Sequence, residues 1–283
     1  MTIRLVTDST VDISPETAES LGITMVPLTV FFDEETYQDN VDIDNATFYQ
    51  KLQASKVLPR TSQPAPALFQ ETYKRLIQEG ATGILSIHLS SQLSGTYQSA
   101  CTAWESLPEE ERTIPFEAID SKNISAAMFI TLKKLSEMNK EGSSLAELKA
   151  YAEDRFFRTH LLAVLDTLEF VKRGGRIGGA KALLGNMLSV KPIITLNREG
   201  AVVPVEQPRT RTKAFARISQ LIKESGPIEE MAIAESNEEV GLQLAEALKT
   251  VYTGEIARQT LGAALGTHTG PGTVAVAFVT AKQ

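Results

Sequence analysis

The sequence has 283 residues, of which 42% are hydrophobic and 22% are charged, a composition typical of a globular protein with room for two domains. Its 28 basic and 35 acidic residues give a net charge of −7, which argues against a nucleic-acid partner. The single cysteine, Cys101, excludes a disulfide within the chain, and no apolar run approaches the roughly 18 residues of a membrane span. We therefore expect a cytoplasmic protein without stable membrane insertion.

The first half alternates strand and helix signals. Its predicted elements are a strand at 3–9, a helix opening at Ser14-Pro15-Glu16, a strand at 23–32, helices at 45–55 and from about 65 to Gly80, strands at 84–89 and 115–121, and a helical pattern over 124–157. A turn at 140–144 divides this last pattern, and Ser143 or Ser144 with Glu147 forms a capping box. Strands separated by helices of this length predict βαβ units and a largely parallel sheet.

From about residue 160 the pattern changes. Its predicted elements are a strand at 161–167, a helix with a glycine-rich break at 168–188, a hairpin at 191–207 that turns at Arg198-Glu199-Gly200, a helix at 211–224, and then a strand, a helix and two strands at 231–236, 238–250, 255–261 and 273–280. Hairpins mixed with helices predict a smaller α+β domain. We therefore predict an α/β protein with a parallel-sheet domain at 1–158, an α+β domain at 159–283 and a ligand between them.

Polar residues follow the first predicted strand, at Thr7-Asp8-Ser9-Thr10. The carboxyl ends of parallel strands line binding crevices, which favours a functional role. A loop whose Asp or Ser side chain caps the next turn explains the same residues. Both interpretations stay open.

A second polar cluster, Arg60-Thr61-Ser62-Gln63-Pro64, precedes a predicted helix. Hydroxyls beside a helix N-terminus bind anions together with free backbone N–H groups. The same hydroxyls act as plain helix caps when no anion is present, and this second interpretation is the more common one.

A third cluster, LSSQLSGTY at residues 89–97, lies between a predicted strand and a predicted helix. A nucleophile elbow requires Gly-x-Ser-x-Gly, and the leading glycine is missing here. A phosphate-binding loop of the Walker type requires a following lysine, which is also missing. Ser94 is therefore expected to cap the helix or to donate its hydroxyl to a carboxylate or phosphate, and a catalytic serine is disfavoured.

His268 lies in a glycine-rich segment, GTHTGPG at 266–272, predicted to be a loop before the last strand. Glycines on both sides allow the backbone to bring the imidazole close to a ligand, although most loop histidines are surface residues. His88, within an apolar strand, is predicted to be a core residue. Because the three histidines and one cysteine are scattered, no metal site is predicted.

Two basic clusters stand out in this acidic protein: KRGGRIGG at 172–179 and PRTRTK at 208–213. The glycine spacing of the first does not match a dinucleotide fingerprint. Such residues form a solvated edge, neutralise an acidic head group or bind an acidic partner, and two clusters favour a local interaction surface.

Taken together, these segments resemble the DegV family of fatty-acid-binding proteins, which includes the FakB subunits of bacterial fatty acid kinase. The matching segments are TDST at 7–10, RTSQP at 60–64, LSSQLSGTYQSA at 89–100, IDS at 119–121, KRGGRIGG, LLGNML and KPI within 172–193, and THTGPG at 267–272. They occur in the family's order along essentially the whole chain.

The resemblance implies a two-domain DegV-like fold that holds one long-chain fatty acid in a tunnel between the domains, without catalysis of its own. It implies that Thr61 and Ser94 hydrogen-bond the carboxylate, with Ser62 and His268 close by and Arg176 as a further candidate. Similar proteins present the bound acid to a separate kinase subunit, which uses ATP to form acyl phosphate. Arg173 and Arg209 are candidates for docking that subunit. No cofactor or metal is implied.

Two other function classes stay open. A serine hydrolase or acyltransferase would combine Ser94 and His268 with a carboxylate such as Asp8 or Asp120, although the nucleophile elbow is absent. A sugar- or nucleotide-binding protein is disfavoured by the low aromatic content of 6% and the missing phosphate loop. The apolar segments FITLKKL (129–135) and ALLGNML (182–188) are candidates for lining a tunnel, or simply for core.

Overall fold

The computed structural model describes residues 2–186 and 190–282. The strands of the first half are β1 (Ile3–Asp8), β2 (Ile23–Val26), β3 (Thr29–Phe32), β4 (Glu35–Gln38), β5 (Arg60–Ser62), β6 (Gly83–His88) and β7 (Phe116–Asp120). Its helices are α1 (Pro15–Leu21), α2 (Asn45–Ala54), α3 (Pro66–Gln78), α4 (Thr96–Glu105), α5 (Ala126–Lys140) and α6 (Leu145–Arg158). Four of these strands form the predicted parallel sheet, in the order β2-β1-β6-β7.

Local capping chemistry explains where several of these helices begin. The Ser14 side chain accepts from the Thr17 N–H ahead of Pro15, as predicted. The predicted capping box is confirmed with Ser144 as the cap, because its hydroxyl accepts from the Glu147 N–H while the Glu147 carboxylate accepts from the Ser144 N–H. Both caps satisfy N–H groups that have no partner inside the helix.

The single strand predicted over 23–32 was wrong, because β2 and β3 belong to different sheets. Pro27 falls between them and has no N–H to continue a ladder, and the N–H of Leu28 donates to the Ser9 hydroxyl instead, at 3.1 Å. β3 then pairs antiparallel with β4 and β5 in a three-stranded sheet that the sequence analysis missed. This small sheet carries Thr61.

The second half is built on a six-stranded sheet in the order β10-β9-β8-β13-β11-β12, in which only β11 and β12 pair parallel. Its strands are β8 (Thr159–Val164), β9 (Ile193–Leu196), β10 (Val202–Glu206), β11 (Ile228–Glu235), β12 (Ile256–Thr260) and β13 (Val274–Thr280). Its helices are α7 (Glu169–Arg173), α8 (Arg211–Glu224), α9 (Glu238–Leu248) and α10 (Ala263–Thr269). The predicted hairpin is confirmed as β9 and β10. The predicted α/β fold class, with a parallel sheet and a separate α+β part, is confirmed.

Two segments of the second half differ from prediction. In place of the long broken helix predicted over 168–188, the structure has the short α7, a glycine-containing turn and a 3₁₀ helix at Gly178–Asn186. Residues 187 and 188 of the predicted helix lie outside the described ranges. The segment predicted as a loop around His268 is the helix α10. Its seven residues include one glycine, two threonines and one histidine, so helix propensity gives no clear signal there.

Apolar clusters cover both faces of each large sheet. One cluster joins the halves, because Ala127 and Ile130 of α5 pack with residues of β8 and β13 such as Leu161 and Ala277. Within the described part of the chain, no helix is long and apolar enough to cross a bilayer. The two sheets therefore share an apolar boundary, and the candidate site lies along it.

Candidate functional site

A cavity of about 400 Å³ lies between the halves. Its walls are mainly apolar side chains from both sheets and the loops that join them, including Leu28, Leu89, Leu93, Ile124, Leu161, Ala163, Val171, Ile194, Leu196, Val202, Leu261 and Leu265. An apolar cavity with a few polar groups is the usual form of a small-molecule site. The long apolar wall suits a hydrocarbon chain.

All five residues predicted to hold a carboxylate line this cavity. They come from four separate segments of the chain: Thr61 and Ser62 in β5, Ser94 before α4, Arg176 after α7 and His268 in α10. The fold thus brings together polar groups that are more than 200 residues apart in sequence. Their role in binding a carboxylate remains a prediction.

Thr61 and His268 are in direct contact. The Thr61 hydroxyl and His268 Nε2 are 2.7 Å apart. β5 holds Thr61 opposite Val30 of β3, so the small sheet fixes the hydroxyl in place. The expectation that Thr61 and Ser62 cap the following helix was wrong: they lie in a strand, and α3 begins after Ala65 without a side-chain cap.

The His268 imidazole is neutral. Burial, and secondarily the positive charge of Arg176, lowers its pKa to about 4. Its Nδ1 is buried and has no hydrogen-bond partner among the described residues. A buried N–H without an acceptor is costly, so we place the proton on Nε2, which then donates to the Thr61 oxygen. This arrangement leaves the Thr61 hydroxyl proton free to point into the cavity.

Gly174 makes the approach to His268 possible. A Cβ added to Gly174 would lie closer to His268 Nδ1 than van der Waals contact allows. The backbone after α7 therefore packs directly against the imidazole at Nδ1, which is buried. The glycine-rich KRGGRIGG segment thus has a packing role at this site.

Ser94 does not cap α4 as expected. The cap position is Gly95, and the Ser94 hydroxyl lies 2.9 Å from the Thr96 hydroxyl. The Gln63 side chain covers Gly95 and donates to the Ser99 hydroxyl at 3.0 Å. Gln63 therefore connects the RTSQP segment, which carries Thr61, to the LSSQLSGTY segment, which carries Ser94. The sequence analysis did not assign this role.

Arg176 brings a cation to the mouth of the cavity. Its Nε donates to the Leu93 carbonyl at 3.2 Å and its Nη1 to the Gly174 carbonyl at 2.6 Å. Both contacts are with backbone, so no carboxylate side chain neutralises the guanidinium within the described structure. The positive charge is available to an anionic ligand.

Five further hydroxyls line the cavity, and the sequence analysis named only one of them, Thr10 of the TDST segment, as a candidate. Each donates its proton to a protein acceptor: Thr10 to Asp8, Ser125 to Asp12, Thr195 to the Leu161 carbonyl, Thr269 to the Leu265 carbonyl and Thr273 to the Thr269 carbonyl. Asp8 also accepts from the Thr10 N–H as the cap of a short 3₁₀ turn, which confirms the capping interpretation of the TDST segment, while its functional role stays a prediction.

The remaining serines of LSSQLSGTY have structural partners. Ser90 donates to the Gly200 carbonyl at 2.8 Å, which ties the loop to the β9–β10 hairpin. The Ser91 hydroxyl donates to Asp120 at 2.6 Å. Ser94 is therefore the serine of this segment that faces the cavity.

The groups needed for a serine hydrolase have other partners. His268 Nε2 faces Thr61 rather than Ser94, and Asp8 accepts from His88 Nδ1 at 3.0 Å. Asp120 accepts from Ser91. No Ser–His–carboxylate hydrogen-bond chain is present among the described residues, so this geometry gives the alternative no support.

Other predicted residues lie away from the cavity. His88 is confirmed as core, since it is fully buried beside Asp8. Cys101 is half-buried, and burial raises the pKa of its thiol. Arg173 and Arg209 are exposed, and Arg173 forms an ion pair with Glu169.

The apolar segment FITLKKL contributes to the core rather than to the cavity wall. In ALLGNML, Leu183 packs against the core that joins the halves, while Met187 and Leu188 lie outside the described residues. No group of three or more His, Cys, Asp and Glu residues that could hold a metal occurs in the described ranges.

Comparisons with known proteins agree with this fold. The model of the DegV family of uncharacterised proteins matches residues 2–281. A DegV domain-containing protein of Halalkalibacterium halodurans is 36% identical over 285 residues, which cover 99% of each chain. The solved structure of a fatty-acid-binding DegV family protein from Thermus thermophilus is 33% identical, has a TM-score of 0.89 and covers 99% of this chain and 100% of its own. DegV of Bacillus subtilis, a fatty acid binding protein, is also 33% identical, with a TM-score of 0.88 and coverage of 99% and 100%. This chain is a member of the DegV family.

Proposed function

We propose that this protein binds one long-chain fatty acid in the cavity between its halves, with the carboxylate at Thr61, Ser62 and Ser94. It then presents the carboxylate to a separate kinase subunit, which transfers a phosphoryl group from ATP. The protein itself acts as a carrier and carries out no chemical step.

The observation that carries this proposal is how the cavity hydroxyls use their protons. Five of the hydroxyls that line the cavity donate to fixed protein acceptors, among them Thr10, Ser125 and Thr195. The Thr61 and Ser94 hydroxyls instead meet the His268 ring and the Thr96 hydroxyl, which leaves their protons free to turn to a ligand. A carboxylate accepts hydrogen bonds only, so these two hydroxyls suit it, and the apolar walls suit an alkyl chain.

Two energetic contributions follow from this placement. Each hydrogen bond to a charged carboxylate contributes about 1.5–3 kcal/mol. Each buried CH₂ group contributes about 0.8 kcal/mol, so a long chain supplies on the order of 10 kcal/mol before the costs of ordering. Affinity therefore comes chiefly from the chain, and the head-group residues fix its direction.

The relatives support the ligand class. The Thermus thermophilus and Bacillus subtilis proteins, each 33% identical to this chain over nearly its full length, are described as fatty-acid binding. The same fold and a cavity of suitable chemistry in this chain are the grounds for extending that description to it.

The kinase step places simple demands on this chain. A carboxylate oxygen attacks the terminal phosphorus of ATP, the bond to the bridging oxygen breaks, and ADP leaves with that electron pair. The carrier must hold the carboxylate still while leaving one oxygen reachable, and Arg176 at the mouth adds positive charge near the reacting groups. The exposed Arg173 and Arg209 are the proposed docking residues for the kinase subunit.

Native mass spectrometry of the purified protein tests the ligand, and a hydroxamate assay with ATP and a fatty acid kinase subunit tests the transfer. We expect a bound mass of a fatty acid with roughly 14 to 18 carbons, and acyl phosphate only when both proteins are present. An empty protein that hydrolyses acyl esters by itself would contradict the proposal.

A further inference from the structure

Helix α10 is held by the opposite half of the protein. It follows β12 of the second half, but Ala263 packs into the core of the small sheet with residues such as Val30 and Phe48. A Cβ added to Gly266 would lie 2.5 Å from Phe48 Cε1 and 2.9 Å from the Tyr49 hydroxyl. The helix therefore lies directly against α2 of the first half.

Two buried carboxylates of the first half hold the start of α10. Asp12 Oδ1 accepts from the Gly262 N–H at 2.8 Å, and Asp39 Oδ1 accepts from the Ala263 N–H at 3.1 Å. The two carboxyl-bearing residues are only 4% and 1% exposed. These contacts satisfy N–H groups that have no partner within the helix.

The other end of α10 reaches the site. His268, in the last turn, meets Thr61 at 2.7 Å. Since the helix has only seven residues, a shift at its start moves the imidazole by a similar amount. The hydrogen bond that orients the Thr61 hydroxyl thus depends on where the helix begins.

Two carboxylates are more than capping requires. One serine, threonine or asparagine satisfies a helix start without burying charge. Here burial raises the pKa of Asp12 well above its ordinary range and that of Asp39 to about 6, so the ionised forms are disfavoured. The burial of two carboxyl groups at such a cost points to a requirement for geometry.

We propose that Asp12 and Asp39 are positioning residues for the carboxylate site, which fix α10 so that His268 orients the Thr61 hydroxyl towards the ligand. Their effect on affinity rests on the proposed fatty-acid binding. Their effect on His268 is a property of the ligand-free protein.

The same anchor also shapes the cavity wall. Asp12 Oδ2 accepts from the Ser125 hydroxyl at 2.5 Å. Ser125 lines the cavity with φ 57° and ψ −133°, a conformation that non-glycine residues rarely adopt and that persists only where surrounding contacts hold it. Asp12 therefore joins the wall that faces the ligand's chain to the helix that serves its head group.

Imidazole ¹⁵N spectroscopy of the delipidated protein tests the positioning role. The chain has only three histidines, so His268 is assignable by comparison with a His160→Gln variant and with the buried His88. In Asp12→Ala and Asp39→Ala we expect the His268 signals to move towards those of a mixed-tautomer imidazole, and fatty-acid affinity to fall about tenfold. Asp39→Asn keeps an acceptor for the Ala263 N–H, and we expect it to retain the wild-type signals.

Leu135→Ala is the control for general destabilisation, because Leu135 is fully buried in the parallel-sheet core away from α10. We expect a lower melting temperature with unchanged His268 signals. Wild-type His268 signals in both alanine variants would overturn the proposal, as would equal perturbation in Leu135→Ala. If the alanine variants do not fold, Asp39→Leu, which fills the space of the carboxyl group but offers no acceptor to the Ala263 N–H, is measured in their place, and wild-type His268 signals in that variant overturn the proposal. Altered His268 signals without any fatty-acid binding by the wild type would contradict the proposed function alone.

Discussion

At the scale of single residues, the hydroxyls of the site differ in whether they donate their protons to a fixed protein acceptor. With the imidazole proton placed on Nε2, His268 donates to the Thr61 oxygen and leaves the Thr61 hydroxyl proton free to donate to a ligand, whereas Thr10 donates its hydroxyl proton to Asp8. Sequence patterns named Thr61 and Ser94 but could not distinguish donors from acceptors, since that depends on partners far away in the chain. The predictions that Thr61, Ser62 and Ser94 cap the following helices were wrong for the same reason.

Replacing Thr61 and Ser94 by alanine removes two donors at the proposed carboxylate position. We expect each single variant to lower fatty-acid affinity roughly tenfold or more, since a hydrogen bond to a charged group contributes about 1.5–3 kcal/mol. A fluorescence displacement assay measures this. Ser91→Ala is the matched control from the same loop, because Ser91 bonds Asp120 outside the cavity. Unchanged fatty-acid affinity in the double variant would contradict carboxylate binding by these two hydroxyls.

Asp39 gives the protein a distinctive pH dependence. Burial raises its folded-state pKa to about 6 from an ordinary 3.8, so the folded state holds the proton more tightly than the unfolded chain. Its contribution to stability is therefore full below pH 4 and is lost as the pH rises through 6. We expect the free energy of unfolding of Asp39→Asn, measured in urea, to rise relative to that of the wild type between pH 4 and pH 8, by up to roughly 3 kcal/mol. A constant difference across that range would refute the assignment.

At the scale of elements, short segments rather than long helices carry Thr61 and His268 of the proposed head-group site. Periodicity predicted α3, α5, α6 and α8 well because each buries a regular apolar face. β5 and α10 escaped prediction because three and seven residues are too few for a periodic signal, and tertiary contacts decide their structure. These two unpredicted elements carry Thr61 and His268.

The backbone after α7 sets the position of His268. Gly174→Ala places a methyl group against His268 Nδ1 and should displace the imidazole, with a several-fold or larger loss of fatty-acid affinity. Gly179→Ala is the control from the same segment, because its added Cβ meets only ordinary contacts of 3.5 Å or more. Isothermal titration of both variants checks this. Equal affinities for Gly174→Ala and the wild type would show that the close approach is unimportant.

At the scale of the whole molecule, the cavity exists only where the two halves meet. The alternation of strands and helices predicted the α/β class and a ligand between the halves. The details of the boundary, such as the Ser90 contact with Gly200 and the Asp12 contact with Gly262, join residues 110 and 250 positions apart. Such pairs leave no local pattern, so sequence reasoning named the motifs without their connections.

Because residues of both halves line the cavity, binding of the proposed fatty acid should stabilise the whole fold. Ligand that binds only the folded state adds about 2.7 kcal/mol at a free concentration of one hundred times Kd. We expect delipidated protein to melt several degrees lower than protein reloaded with a long-chain fatty acid, measured by scanning calorimetry. A short-chain acid at the same concentration serves as the control. Identical melting temperatures for the long and short acids would argue against a chain-binding cavity.

The most direct test of the account is a comparison of palmitate with its methyl ester on the delipidated protein, by isothermal titration. The two ligands share the chain that is proposed to fill the cavity and differ in the charge that Thr61, Ser94 and Arg176 are proposed to hold. We predict that palmitate binds at least roughly tenfold more tightly, and that Thr61→Ala with Ser94→Ala removes most of this difference. Equal affinity for the acid and the ester would contradict a carboxylate site at this end of the cavity.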